Sequence, residues 1–185
     1  MHIRVAKVSD AKAIQEIYAP YVEKTNITFE YDVPSVEEMT HRIKKTLEKF
    51  PYLVAIEQNQ IIGYAYASVY RTRHAYQWDS ELSIYIDEHY HGQSVGKILY
   101  EKLIDILKAM HIQNVYACIT YPNEKSEKFH QKFGFELIGC FHQVGYKFDT
   151  WHDVIWMEKA IGKRDNVQEV IPFSLLSSIF FDSSL

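Results

Sequence analysis

Residues 83–99 combine an alternating apolar segment, a loop with glycines four apart and the first turn of an amphipathic helix. A chain that turns this way can aim several backbone N–H groups into one concavity, and the helix start adds the positive end of its dipole. Gly92 and Gly96 carry no Cβ, so an anion can come close to the main chain; a diphosphate fits such a cup. The same pattern also serves as an ordinary turn before a helix. It is not the dinucleotide fingerprint, which sits on the first strand of a βαβ unit, and it lacks the Gly-Lys-Ser/Thr of a Walker loop.

Other residues have types suited to chemistry. Glu81 opens the strand that leads into the loop, about 10 Å of extended chain before Ile84. There it could take a proton from an amine, or pair with an Arg or Lys. Arg71 and Arg73, two apart on extended chain, can point to one side of a sheet and suit a carboxylate, phosphinate or sulfone oxygen; a solvated cationic loop is the alternative. His2, His41, His74, His89, His111, His142 and His152 show no mutual metal-ligand spacing, and Cys118 and Cys140 fit no zinc pattern, so no metal site is expected.

The elements that must position these groups follow from periodicity. Residues 3–5 read as a short strand, Ser9-Asp10 as a helix start, and Ile14, Ile17, Tyr18 and Tyr21 as one helix face. Residues 25–34 form a loop. Ser35-Val36-Glu37-Glu38 is a capping-box pattern opening a helix that Pro51 stops. Strands are expected at 52–57 and 61–70 around a Gln58-Asn59-Gln60 turn, and at 81–86. A second helix begins near Gly96, with Leu99, Leu103, Ile106, Leu107 and Met110 buried. Next come a strand at 115–119, a short helix at 126–132, and strands at 135–145 and 153–158. This order predicts one mixed α/β domain over residues 1–161 with a single parallel crossover, and an extension from 162 to 185. The extension's apolar stretch, 171–185, could dock as a helix on its own domain or on a partner subunit.

At 185 residues the chain can bury a full core; it is 47% hydrophobic and 24% charged, which is globular composition. A net charge of -4 argues against nucleic acid or an anionic membrane surface as partner. The N-terminus lacks the apolar run of a secretion signal, no stretch approaches the ~20 apolar residues of a membrane span, and both cysteines read as free thiols. A cytoplasmic location is expected.

Residues 121–135 add a second element, running from Asn123 through Ser126, Phe129 and His130 to Gly134-Phe135. Together with the loop, it resembles the cofactor elements of the GCN5-related N-acetyltransferases (GNAT). Thr28-Phe29-Glu30, residues 70–76 and residues 144–154 narrow the resemblance to the phosphinothricin and methionine-sulfone branch, over about residues 2–160.

The resemblance implies a GNAT fold: a central, mostly antiparallel sheet with a splayed parallel pair and helices on both faces. It implies acetyl-CoA as cosubstrate, held by the main chain of Ile84, Tyr85 and Ile86, by His91, Gly92, Gln93, Ser94, Val95, Gly96 and Lys97, and by Asn123 and Ser126. The acceptor would be a small amino-acid-like amine, with Glu81 as base. His130 stands where many relatives protonate the departing thiolate through a tyrosine; it could instead bind the cofactor or lie on the surface. Phe29, Arg71, Arg73, Ala75, Tyr76, Lys147 and Trp151 would line the acceptor pocket. A homodimer is expected from the family. His91 and Ser94 depart from the family pattern, which has Gln or Arg and Gly there, so a CoA-binding module without catalysis stays open, as does transfer to another small amine or a protein amine.

Overall fold

The computed structural model describes residues 1–181. In chain order the elements are β1 (His2–Val5), α1 (Ala11–Lys24), α2 (Val36–Leu47), β2 (Tyr52–Glu57), β3 (Gln60–Val69), β4 (Asp79–Ile86), α3 (Val95–Ala109), β5 (Asn114–Tyr121), α4 (Glu124–Lys132), β6 (Glu136–Lys147), β7 (Thr150–Ala160) and α5 (Phe173–Phe180). The strands form one sheet of order β1-β2-β3-β4-β5-β7-β6. Every neighbouring pair is antiparallel except β4–β5, so the expected mixed sheet with one parallel crossover is present.

Local signals account for much of this. Ser35 caps α2, its Oγ accepting from the Glu38 N–H at 3.2 Å. Gln58 and Asn59 both take positive φ, which a two-residue hairpin turn requires, and the ladder resumes at Glu57↔Gln60. The apolar stripe of α3, including Leu99, Leu103, Ile106 and Leu107, is wholly buried against one face of the sheet, over Leu82, Val115 and Ala117. α1 and α2 cover the other face, where Tyr52, Val54 and Tyr64 meet Ile14, Tyr18 and Ile43.

α5 docks on its own domain. Phe173 is buried in the α3-side core, its N–H donates to the Lys49 carbonyl at 3.0 Å, and Ile171 N–H donates to Met110 at 3.1 Å. The last part of the predicted apolar stretch, residues 182–185, lies outside the described residues. No helix among the described residues is long and apolar enough to cross a membrane.

Candidate active site

The parallel pair is the joint at which the sheet parts. β4 and β5 are in register only at Asp79↔Asn114, Ser80↔Val115 and Glu81↔Tyr116. Beyond Glu81 they diverge, whereas β4 stays paired to β3 up to Gly63↔Ile86. One edge of β4 is therefore open from Leu82 to Ile86. Antiparallel pairing turns alternate residues toward and away from the neighbour. Asp87 N–H donates to Ile62, so the odd-numbered residues face β3, while Ile84 and Ile86 face the gap.

The structure sorts the three expected edge residues. Ile86 is already engaged: the Tyr21 hydroxyl of α1 donates to its carbonyl at 2.6 Å and accepts from its N–H at 3.3 Å. His91 Nε2 lies 3.1 Å from the same carbonyl. Tyr85 is corrected outright. Its main chain serves β3 and its ring packs against Tyr18 and Tyr21 at 4.8 and 5.1 Å, so it holds α1 in place and does not face the gap. Ile84 is left as the residue whose main-chain groups point into the open space.

The loop after β4 turns sharply into α3. Gly92 takes φ +80° and Ser94 φ +64°, which turn the chain into α3. Ser94 accepts the left-handed conformation that the glycine usual at this position would hold freely, and it makes no side-chain cap to the helix. Among the described residues, the N–H groups of Gly92, Ser94, Val95, Gly96 and Lys97 have no acceptor, while Ile98 N–H already returns to Ser94. A helix start left uncapped in this way has donors suited to an anion. A Cβ on Gly96 would lie 3.4 Å from both Ile84 Cδ1 and the Phe129 ring, so β4, α3 and α4 converge there.

Across from the α3 start, on the element that carries Phe129, Asn123 caps α4, its Oδ1 accepting from Ser126 N–H at 3.2 Å. That leaves its side-chain amide N–H groups for a ligand. His130 does not fit the proton-donor role. It is 3% exposed; Nδ1–H donates to the Ser126 carbonyl at 2.8 Å, and Nε2 accepts from the Tyr100 hydroxyl at 2.9 Å. Burial pulls its pKa down to about 4, so the ring is a neutral internal tie between α3 and α4.

Glu81 sits at the last paired position before the strands part. Burial raises its pKa, and no Arg, Lys or hydrogen-bond donor contacts its carboxylate among the described residues. The alternative of a paired strand-end carboxylate is not realised. Cys118, exposed, lies on the same face of β5 as Tyr116. Tyr70 stacks on Tyr116, the register partner of Glu81, at 4.1 Å and meets Trp156 edge-on at 5.7 Å. The sequence reading gave no site role to Tyr70, Tyr116, Cys118 or Trp156. Their common face depends on strand pairing, which alternation within one strand does not reveal.

Several expected acceptor residues stand differently. Arg71 and Arg73 lie in a bent loop, not on extended chain. Arg71 is exposed and stacks its guanidinium over Tyr70 and Tyr76 at 5.1 and 5.3 Å. Ala75 and Tyr76 form a 3-10 turn in the same loop. Phe29 fills the space above Gly145, where any Cβ would overlap its ring, and stacks on His152. Trp151 is exposed beside Tyr146. Lys147 is corrected: it is 2% exposed and its ammonium donates to the carbonyls of Val22, Thr25 and Thr28 at 2.7, 2.8 and 2.8 Å. It closes the end of α1 and cannot also reach a substrate.

Two cavities lie apart from Glu81. One, of about 790 Å³, runs along α1 from Arg4 to His91; the other, of about 170 Å³, lies under α2 among Tyr52, Tyr64 and Tyr85.

Comparison with known proteins bears on the same elements. Residues 3–156 match the family model described as the acetyltransferase (GNAT) domain. A phosphinothricin N-acetyltransferase of Streptomyces coelicolor is 33% identical over 165 residues, covering 87% of this chain and 96% of that enzyme. An L-methionine sulfoximine/L-methionine sulfone acetyltransferase of Salmonella typhimurium is 29% identical, with 89% and 96% covered. Among solved structures, a GNAT superfamily phosphinothricin acetyltransferase from Sinorhizobium meliloti in complex with AcCoA superposes with a TM-score of 0.86 at 30% identity, covering 98% of each chain.

Proposed function

The chain belongs to the GNAT acetyltransferases, and from that premise we propose that it moves acetyl from acetyl-CoA to the α-amine of a small amino-acid-like acceptor of the phosphinothricin, methionine sulfoximine or methionine sulfone type. The observation that carries the reading is Glu81, an unpaired, partly buried carboxylate at the point where β4 and β5 part, on the strand that leads into a loop of unpartnered amides.

Acetyl-CoA supplies the activated thioester. The N–H groups of Gly92 and Ser94 to Lys97 suit its diphosphate, and the open main chain of Ile84 suits the amides of its pantetheine arm. The Asn123 side-chain amide stands across from the α3 start. Glu81 takes the proton from the acceptor's ammonium, directly or through a water, and so frees the lone pair that attacks. A backbone N–H of the gap faces the developing oxyanion, and with His130 committed internally the leaving sulfur takes its proton from solvent. Arg71 and Arg73 hold the acceptor's acidic group, with Tyr70, Tyr76 and Phe29 around it.

Coenzyme A release over a panel of amino acids and their sulfone, sulfoximine and phosphinate analogues tests the acceptor. Release no faster with these compounds than in buffer removes the substrate class.

Ser94 gives a sharper check on the cup. Ser94→Gly relieves left-handed strain of about 1–2 kcal/mol at the cost of about 0.5–1 kcal/mol in chain entropy. The variant is expected to be as stable as the parent or slightly more so, with a KM for acetyl-CoA lower by a few-fold. A raised KM would show that the Ser94 hydroxyl itself holds the ligand.

The proposal includes a homodimer. β6 is an outermost strand, and its unpaired edge exposes Leu137, Phe141 and Val144. A monomer mass in light scattering at assay concentration would exclude it.

A further inference from the structure

Opposite the acceptor face, the outer hairpin carries a cluster that the transfer reaction does not use. The β6–β7 ladder breaks between Phe141↔Val154 and Gly145↔His152, so three residues of β6 stand against Asp153 alone. This bulge puts Gln143 at φ +50°. It draws Cys140, His142 and Asp153 together on the face shared with Ile155 and Met157. Cys140 Sγ lies 3.7 Å from His142 Nδ1 and 4.0 Å from Asp153 Oδ2, and His142 Nδ1 lies 3.0 Å from Asp153 Oδ2.

We propose that Cys140, His142 and Asp153 form a divalent metal site suited to Zn²⁺, with a fourth position open to water. Tetrahedral zinc with sulfur at about 2.3 Å and nitrogen or oxygen at about 2.0–2.1 Å holds its ligand atoms about 3.3–3.6 Å apart, and the three separations agree with that to within about half an ångström. The donor set, one thiolate, one imidazole and one carboxylate, selects zinc, cobalt or a similar ion over calcium or magnesium, which prefer all-oxygen ligands. The carboxylate is also oriented from behind. Asp153 Oδ1 accepts the Gln143 N–H at 2.7 Å, leaving Oδ2 for the ion, as outer partners do for metal ligands generally. His142 and Cys140 are exposed, so an ion can enter without unfolding the hairpin. On binding, the Cys140 S–H proton passes to solvent and the thiolate sulfur donates an electron pair to the metal; no redox change is involved.

Sequence spacing missed this site because the third ligand comes from the neighbouring strand, at a position only the bulge brings into register.

The test is titration of the purified full chain, stripped of metal, with Co²⁺ and then Zn²⁺. One Co²⁺ per chain is expected, with a near-ultraviolet thiolate-to-cobalt absorption, about one proton released, and displacement by Zn²⁺. Cys140→Ser should abolish the absorption and His142→Ala should weaken binding at least tenfold, while Cys118→Ser changes neither. Cys140 and His142 are exposed, so both variants should keep the parent's melting temperature. No thiolate absorption in the parent at about 100 μM Co²⁺, a concentration well above the affinity of a built site, overturns the proposal. So does absorption that survives Cys140→Ser or disappears in Cys118→Ser.

Discussion

Glu81→Gln is expected to lower kcat for acetyl transfer by about two to three orders of magnitude, the range a positioned general base contributes, while binding of acetyl-CoA stays within about twofold. The substitution keeps the side chain's shape and removes only the capacity to take a proton. Because burial raises the pKa of Glu81, the parent's activity should fall as pH drops through that raised value, and the acid limb should be absent from the variant's residual rate. Stability should move the other way. A folded-state pKa above the unfolded one means that folding favours the protonated carboxyl; that support exists below the unfolded pKa and is lost as pH rises through the folded value. Because burial disfavours the charged form of Glu81 and no cation offsets it, the glutamine variant should melt no lower than the parent at neutral pH. A kcat within threefold of the parent would remove Glu81 from the mechanism.

Lys147→Met should cost about 2–4 kcal/mol of stability in urea denaturation. Three charge-assisted hydrogen bonds are lost, and the carbonyls of Val22, Thr25 and Thr28 are left in a space the methionine cannot satisfy. Val22 and Thr25 lie at the end of α1, where a cation also meets the negative pole of the helix. Since Phe29 follows directly, the acceptor's KM should rise only modestly, through loosening of this loop. Unchanged stability with a KM raised tenfold or more would restore the sequence's expectation that Lys147 contacts substrate.

The contrast between these two residues shows what a sequence discloses. Ser35, the Gln58-Asn59 turn and the α3 stripe were readable because each depends on neighbours within a few positions. The cup at 92–97 was readable for the same reason, and the structure supplies its unpartnered amides. Lys147 was misread because its partners lie more than a hundred residues earlier, and a lysine's charge suggests solvent until the carbonyls around it are seen. His130 sits on the element where a proton donor was expected, but the ring turns inward to Tyr100 on another helix. Arg71 was assigned a side of a sheet; the chain had already left the ladder, and two tyrosine rings took its guanidinium.

The gap between β4 and β5 is built into the fold. Its narrow end is riveted by three residue pairs, and its wide end is propped by the Tyr21 hydroxyl on Ile86 and by packing of Phe129 against the start of α3. On the proposed function, an incoming thioester would slot into a wedge already ajar and need not prise two strands apart, so the energy of docking would go to aligning the acyl carbon instead of remodelling the host.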